Sequence, residues 1–392
     1  MRKIEQSNID EKLTFDDICI VPAPISDINH RKDCNVYIHD EKNPCSVGYK
    51  IATLPIFASP MGAVIDENTW EKFFNKGICP VIPRTVKYQK RLELMKKTFT
   101  SFSMNEADKI FVRNYDSLVK EVDATNPAYI CIDLANGHMK SLLSLISTIK
   151  EAYGKSVIIM SGNIANPEAY KYYVESKCDY VRCSIGTGFC CTTSTLTATH
   201  YPPASLLQEI CEIRDAYAHP EDCPKIIADG GITCYADCIK ALACGADYAM
   251  IGRMFAQCVE ACETMYEKLK DGSTFYSPEI LKKIEHHLNT YEDFPDNLYR
   301  IYYGMSTRYA QKKIADAREN PDDPFEYKNA EGNVEEIQVT NTLDRWVDIF
   351  ISSVKSTMSY SNMYEITELP DTKKIRVSVN AFMSYKKHTS NK

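Results

Sequence analysis

Ten consecutive residues concentrate groups able to do covalent chemistry: Ser184-Ile185-Gly186-Thr187-Gly188-Phe189-Cys190-Cys191-Thr192-Thr193. Two glycines make a pliable loop, adjacent thiols follow, and hydroxyls close the run. A loop thiol near N–H donors ionises more readily and attacks an electron-poor carbon, dividing one hard substitution into two easier ones. Composition alone does not single out either cysteine, because the chain has 16 and burial as a small apolar side chain is the ordinary fate. Cys190 is therefore read as structural, and Cys191 needs a further argument.

Two other stretches suit anionic ligands. Asp229-Gly230-Gly231 and Gly252-Arg253 read either as tight turns or as a phosphate cradle whose glycines let backbone N–H groups approach. Their joint placement after the last two apolar runs favours phosphate. A carboxylate cannot hold phosphate, so Asp229 suits a pair of ribose hydroxyls. Asp133, opening DLANGH, reads equally as a functional acid or a helix cap, and Asn163 after VIIMSG has the same two readings. The pair Arg308-Tyr309 reads as a helix surface.

These residues need a scaffold, and the chain supplies an alternation. Short β-rich runs fall at Leu54–Ala58, Ile78–Ile82, Lys109–Val112, Tyr129–Leu134, Val157–Ser161, Tyr180–Cys183, Ile226–Ala228 and Tyr248–Ile251. Helical patterns lie between them, at Glu67–Lys76, Tyr115–Val122, Met139–Tyr153, Pro167–Lys177, Ala204–Tyr217 and Tyr235–Cys244. Strict alternation predicts parallel strands with crossover helices, and about eight of them close into a (β/α)8 TIM barrel. A doubly wound open sheet is the alternative; the missing Gly-x-Gly-x-x-Gly fingerprint after the first strand counts against a dinucleotide version of it. A barrel places its chemistry just after its strands. There the sequence offers Ser59-Pro60-Met61, Pro83-Arg84, Arg113-Asn114, Asp133-Leu134-Ala135-Asn136-Gly137, Gly162-Asn163, Ser184–Gly188, Asp229-Gly230-Gly231 and Gly252-Arg253, which are polar and glycine-rich where the strands are not. The expected organisation is an N-terminal segment packing on the barrel (1–50), the main barrel (51–270), a polar insertion (271–298) and a C-terminal active-site segment and tail (299–392).

Composition bounds the function. With 392 residues and a formal net charge of −7 there is no basic footprint for a nucleic-acid backbone. No apolar run approaches the roughly 20 residues of a membrane helix, and the polar stretch Met1–Glu11 is unlike a signal peptide. Scattered cysteines without an export signal predict reduced thiols and a cytoplasmic protein. No cysteine pair shows the two-residue gap of a zinc hook; Cys234/Cys238 and Cys258/Cys262 are four apart, as helix core positions are.

Taken in order, the motifs resemble the GMP reductase and inosine monophosphate dehydrogenase family. The likeness begins at LTFDDICIVPAP from Leu13 and covers most of the chain. Its anchors are ASPM (58–61), DLANGH (133–138), MSGN (160–163), IGTGFCCTT (185–193), ADGG (228–231), MIG (250–252), YYGMS (302–306) and AEG (330–332). The resemblance implies a (β/α)8 barrel and a thioimidate between a loop cysteine and C2 of a purine. Its pattern puts that cysteine two residues after Phe189, which selects Cys191, with Thr193 and Glu331 as the proton-handling pair. The implied reaction is NADPH-dependent conversion of GMP to IMP with release of ammonia. By the same resemblance Asp229, Gly230, Gly231, Gly252, Arg253, Gly304, Met305, Ser306, Lys328 and Gly332 hold the nucleotide. Asp133, Leu134, Ala135, Asn163, Ile185 and Gly186 line the nicotinamide side, with Arg84, and Arg31 from a neighbouring subunit, toward the 2′-phosphate. Carbonyls of Gly186, Gly188 and Cys191 correspond to a monovalent-cation (K+) site, and the family implies a homotetramer.

The reductase side of the family fits better than IMP dehydrogenase. The chain runs from Arg84 to Arg113 without a regulatory insert domain, and DLANGH and KSTMSYSNMYEITEL look like the reductases. Arg308-Tyr309 follows Gly-Met-Ser too early for the dehydrogenase flap that activates water, although the stretch from Ser306 to Glu331 is longer than reductases use. Lys328 and Ala330 stand where reductases carry Arg and Ser, Arg253 where a second glycine is usual, Gly62 after Met61 where Asp is common, and Ser184 where a glycine is. Lysine in place of a bidentate arginine weakens a geometric contact as well as keeping a charge. These departures leave open a changed base preference, a nucleotide analogue as substrate, or a catalytically inactive purine-nucleotide-binding regulator. The joint presence of Cys191, Thr193 and Glu331 counts against the last.

Overall fold

A parallel strand covered outside by its crossover helices and inside by its neighbours is buried on both faces, so its sequence reads as a continuous apolar run. The computed structural model, which describes residues 11–48, 52–113, 122–276, 295–378 and 381, turns eight such runs into a closed barrel. They are β1 (Ile56–Ala58), β2 (Cys79–Ile82), β3 (Phe99–Phe102), β4 (Ala128–Asp133), β5 (Val157–Ile164), β6 (Tyr180–Cys183), β7 (Lys225–Asp229) and β8 (Tyr248–Ile251). The ring closes where Ile56, Phe57 and Ala58 pair with Ala249, Met250 and Ile251. The helices that follow in chain order are α1 (Trp70–Phe74), α2 (Tyr88–Leu94), α3 (Met104–Asp108), α4 (Lys140–Tyr153), α5 (Ala169–Glu175), α6 (Thr193–Thr197), α7 (Pro203–Asp215), α8 (Tyr235–Ala243) and α9 (Arg253–Ala256). On α4, Leu142, Leu145, Ile146, Ile149 and Tyr153 are buried, the stripe a barrel-covering helix requires. The fold is a (β/α)8 barrel, as the alternation predicts. No regulatory domain interrupts it between β2 and β3, which α2 joins.

One strand differs from expectation. Lys109–Val112 lies in a π-helical turn, Lys109–Arg113, and the third strand is the earlier run Phe99-Thr100-Ser101-Phe102. Two hydroxylated residues disguise that run, yet all four positions are buried. The hydroxyl of neighbouring Thr98 donates to Pro80 O at 2.7 Å and that of Thr100 to Thr98 O at 3.2 Å. The apolar run Lys109–Val112 instead continues α3, which Ser103 caps by accepting from Glu106 N. Pattern alone cannot separate a short buried strand from a helix turn. Arg113 therefore does not follow a barrel strand, while the helix expected at Tyr115–Val122 and most of the polar insertion (277–294) lie outside the described residues.

Past β8 the chain builds a second, antiparallel sheet that the sequence reading did not anticipate. It contains β9 (Met265–Lys268), β10 (Thr274–Phe275), β11 (Leu298–Tyr303) and β12 (Val334–Gln338), in the order β10-β9-β11-β12. Pairing of Tyr303 with Val334 brings together the segments leaving β11 and entering β12. Between them run α10 (Arg308–Asp316) and an irregular strap, and α11 (Leu343–Ser361) then buries Trp346, Phe350, Val354 and Met358 against the barrel. Among the described residues no helix is long and apolar enough to cross a membrane.

The barrel floor is closed by the N-terminal segment. Buried Asp40 accepts hydrogen bonds from Tyr180 Oη (2.7 Å) and Tyr248 Oη (2.6 Å), the first residues of β6 and β8. The Tyr180 ring packs edge-on against Phe57, Phe99 and Tyr248, and the Tyr248 ring lies tilted on Phe57 inside the barrel. Asp40→Ala would leave both phenol protons without their acceptor, Tyr248 Oη keeping only the bond it accepts from Asn43 Nδ2, and we expect it to lower unfolding free energy by about 2–4 kcal/mol. Asp40→Asn, which keeps an acceptor oxygen, should lose less; urea unfolding of the two variants measures the difference.

Candidate active site

The mouth of the barrel is assembled from strand ends, and its most buried charge is Arg182 on β6. Its Nη1 donates to Asp133 Oδ1 of β4 at 2.5 Å, and its Nε to Asp229 Oδ2 of β7 at 2.9 Å. Burial alone would depress the guanidinium, but Asp229 and then Asp133 raise it well above its ordinary value, so it remains charged. Asn163 of β5 joins the same group, donating through Nδ2 to Asp229 Oδ2 (2.8 Å) and to Ser184 O (2.9 Å). Asn163 N–H also donates to Leu134 O at 3.0 Å, while Asn163 O accepts from Gly137 N at 2.9 Å. Asp133, Leu134, Asn163 and Asp229 thus meet around a cation absent from the sequence-based set. A signal existed: an arginine inside a buried strand, YVRC, requires carboxylates from its neighbours.

From β6 the chain enters the cysteine loop. Ser184 takes φ 106°, a region that favours glycine and costs a non-glycine residue about 1–3 kcal/mol. It is held by its N–H on Ile164 O (2.7 Å) and by its hydroxyl against Thr187 Oγ1 (2.6 Å). Gly186 turns at φ 76°, and a Cβ there would lie 2.7 Å from Ser194 Cβ, so no other side chain fits without movement. Cys190 points inward, 3% exposed, and burial pushes its thiol up to about 12. Half-buried Cys191 has a different environment: its Sγ donates to Thr193 Oγ1 at 3.3 Å, and Thr193 Oγ1 donates to Glu331 Oε2 at 2.7 Å. The three residues form one hydrogen-bonded chain from sulfur to carboxylate.

Glu331 reaches the loop on the strap, which pairs with it like a short strand. Thr192 N donates to Glu331 O at 3.1 Å and Asn333 N to Cys190 O at 2.9 Å, with Cys191 opposite Gly332. Ser306 Oγ donates to the same Glu331 carbonyl at 3.0 Å, so the Gly304-Met305-Ser306 turn after β11 abuts the strap. Lys328 joins through its backbone; its side chain is exposed.

The turns after β7 and β8 carry the glycines and Arg253 read from the sequence as a candidate phosphate cradle. Arg253, at the start of α9, lies over the half-exposed Phe189 ring at 3.9 Å, and its buried Nε has no hydrogen-bond partner. Gly231 N–H already donates to Thr187 O at 3.1 Å. Of the carbonyls expected around a cation, Gly186 O accepts from Ser194 Oγ (2.9 Å) and Gly188 O from Cys191 N (2.9 Å), each keeping one lone pair. Ile185 O accepts from His200 Nδ1 at 3.1 Å. Arg84, at the end of β2, has a buried Nε without a hydrogen-bond partner. Arg31 sits apart, on an exposed turn beside α11, where adjacent Cys34 Sγ reaches Lys355 O at 3.9 Å. Arg308 and Tyr309 open α10 and pack there, Arg308 on Tyr327 (4.6 Å) and Tyr309 on Tyr303 (4.7 Å).

A family model described as IMP dehydrogenase / GMP reductase domain matches residues 12–276. GMP reductase 2 of Mus musculus and of Homo sapiens are each 27% identical over 241 residues, 62% of this chain and 58% of each relative. The GMP reductase of Buchnera aphidicola subsp. Schizaphis graminum is 29% identical over 288 residues, 73% of this chain and 70% of that relative. The chain thus spans 58% of the length of the two mammalian relatives.

Removing Arg182 tests the charge arrangement independently of any ligand. Arg182→Met should leave Asp133 and Asp229 facing each other uncompensated and destabilise the fold by about 3–5 kcal/mol. Thermal unfolding reads the loss, and a change near zero would mean that the two carboxylates find other partners.

Proposed function

The chain belongs to the IMP dehydrogenase / GMP reductase family, and on that premise we propose that it reduces GMP to IMP and ammonia with NADPH, through a covalent adduct of Cys191. The observation that carries this reading is the chain Cys191 Sγ–Thr193 Oγ1–Glu331 Oε2, at 3.3 and 2.7 Å. As sulfur bonds to C2 of the purine, the thiol proton has a route through the Thr193 hydroxyl to Glu331. The departing amine needs one proton to leave as ammonia, and the same route run backwards supplies it. Thiol plus GMP therefore becomes thioimidate plus ammonia with atoms balanced. Hydride from bound NADPH to C2 is the chemistry the dinucleotide supplies; sulfur then leaves with its bonding pair, giving IMP.

In this reading Asp229 faces the ribose, and Arg253 with the backbone of Gly230, Gly231 and Gly252 faces the phosphate. Gly304, Met305, Ser306, Lys328 and Gly332 border the base. Because Gly231 N–H is already engaged, the phosphate contact rests more on the Arg253 guanidinium. Asp133, Leu134, Ala135, Asn163, Ile185 and Gly186 line the nicotinamide face. The unpartnered buried Nε of Arg84 suits an anionic dinucleotide. Arg31 would contribute only across a subunit interface of a homotetramer. A monovalent cation on Gly186, Gly188 and Cys191 carbonyls would brace the loop.

The dehydrogenase reading requires a mobile Arg-Tyr pair to activate water. The packing of Arg308 on Tyr327 and of Tyr309 on Tyr303 favours the reductase.

Purified protein given GMP and NADPH should oxidise the nicotinamide and release ammonia, followed by absorbance, with IMP plus NAD+ inert. Cys191→Ala should abolish turnover, and Glu331→Gln should lower kcat by about 10²–10⁴-fold. NAD+ reduction by IMP would give the case to the dehydrogenase. Tight GMP binding without either reaction would indicate a regulator.

A further inference from the structure

The strap that carries Glu331 has almost no regular structure between α10 and β12, so side chains must set its position. Arg318 does so for the first half, donating to the carbonyls of Pro321 (3.2 Å), Asp323 (2.6 Å) and Pro324 (3.3 Å). The second half depends on Gln311 of α10, a neutral amide only 7% exposed. Its Oε1 accepts from Lys328 N at 2.9 Å, and its Nε2 donates to Lys328 O at 3.1 Å and to Ser306 O at 2.9 Å. An amide that both donates to and accepts from one residue's backbone fixes that residue in translation and in rotation, as a strand neighbour would.

Ser306 completes a ring. Its carbonyl takes the Gln311 amide and its hydroxyl donates to Glu331 O. Gln311 therefore touches both arms that converge on Glu331: the strap three residues upstream, and the turn that abuts it.

We propose that Gln311 is a positioning residue, which holds the strap in the register that places the Glu331 carboxylate on Thr193. It touches neither thiol nor carboxylate and acts through Lys328 and Ser306. The proposal rests on the reductase reading for its kinetic test and on the geometry alone for its structural one. Misplacement of a catalytic group by about 1 Å costs up to about 100-fold in rate, far more than the loss of one neutral hydrogen bond in a loop.

The test is a double-mutant cycle with an exchange measurement. Gln311→Met fills the same space without any of the three hydrogen bonds, and should lower kcat for GMP about 10- to 100-fold with a smaller change in KM. In the Glu331→Gln background the same substitution should change kcat less than about threefold, because the group it positions is already lost. Equal effects in both backgrounds would overturn the proposal. Gln311→Glu, which keeps the acceptor for Lys328 N but sets an anion against two carbonyls, is the second variant should Met fail to fold. Amide hydrogen exchange over residues 326–333 should quicken at least tenfold in either variant, with α4 unchanged. Exchange there as slow as in the parent would overturn the proposal whatever the substrate. An inactive parent protein with quickened exchange would sink the reductase reading and leave the role of Gln311 standing.

Discussion

Arg182 is the charge around which the mouth of the barrel is organised. A guanidinium taken out of water alone carries a penalty of several kcal/mol. Here Asp133 and Asp229 offset it from strands β4 and β7, while Asn163 of β5 ties itself to Asp229. Four consecutive strand ends are held at one spacing by this arrangement. The cysteine loop springs from its centre, since Ser184 follows β6 directly and its carbonyl is held by Asn163. The placement of Cys191 inherits the geometry of a group it never touches.

The proposed chemistry is divided between a rigid part and an added part. The barrel supplies the thiol, Thr193 and the carboxylate that would meet the ribose. The antiparallel sheet and its strap supply Glu331, and the two parts are joined by backbone pairing of Cys190 and Thr192 with Asn333 and Glu331. Ser184 at a positive φ shows that the loop tolerates local strain where its hydrogen bonds over-determine the path.

Legibility of the sequence followed the physics of each element. Runs such as Tyr180–Cys183 and Tyr248–Ile251 were readable to the residue, because strands buried on both faces have one dominant pattern. Phe99–Phe102 was not, since a Thr and a Ser break its apolar pattern, the Thr100 hydroxyl being satisfied locally and that of Ser101 buried without a partner among the described residues, and a helical apolar run nearby looked more strand-like. The residues that gather at Cys191 were readable as a family pattern, not from spacing, for nothing local says that Glu331 meets Thr193. The second sheet escaped because its strands are of mixed polarity and, the β9–β10 hairpin apart, pair across long stretches of chain. Gln311 escaped because a glutamine on a helix is ordinarily solvated, and its partners, Ser306 and Lys328, are recognisable only once the chain is folded.

The bond between Thr193 and Glu331 spans 138 positions of chain. All eight barrel strands are present by Ile251, whereas the strap is made well afterwards. At ribosomal rates of about 5–20 residues per second, this separates the two events by several seconds. A nascent chain therefore holds all eight strand sequences and Cys191 before the carboxylate that would handle its proton exists. Synthesis of the thiol and of its proposed proton acceptor are successive stages, and the thiol spends the interval without the group that is proposed to set it to work.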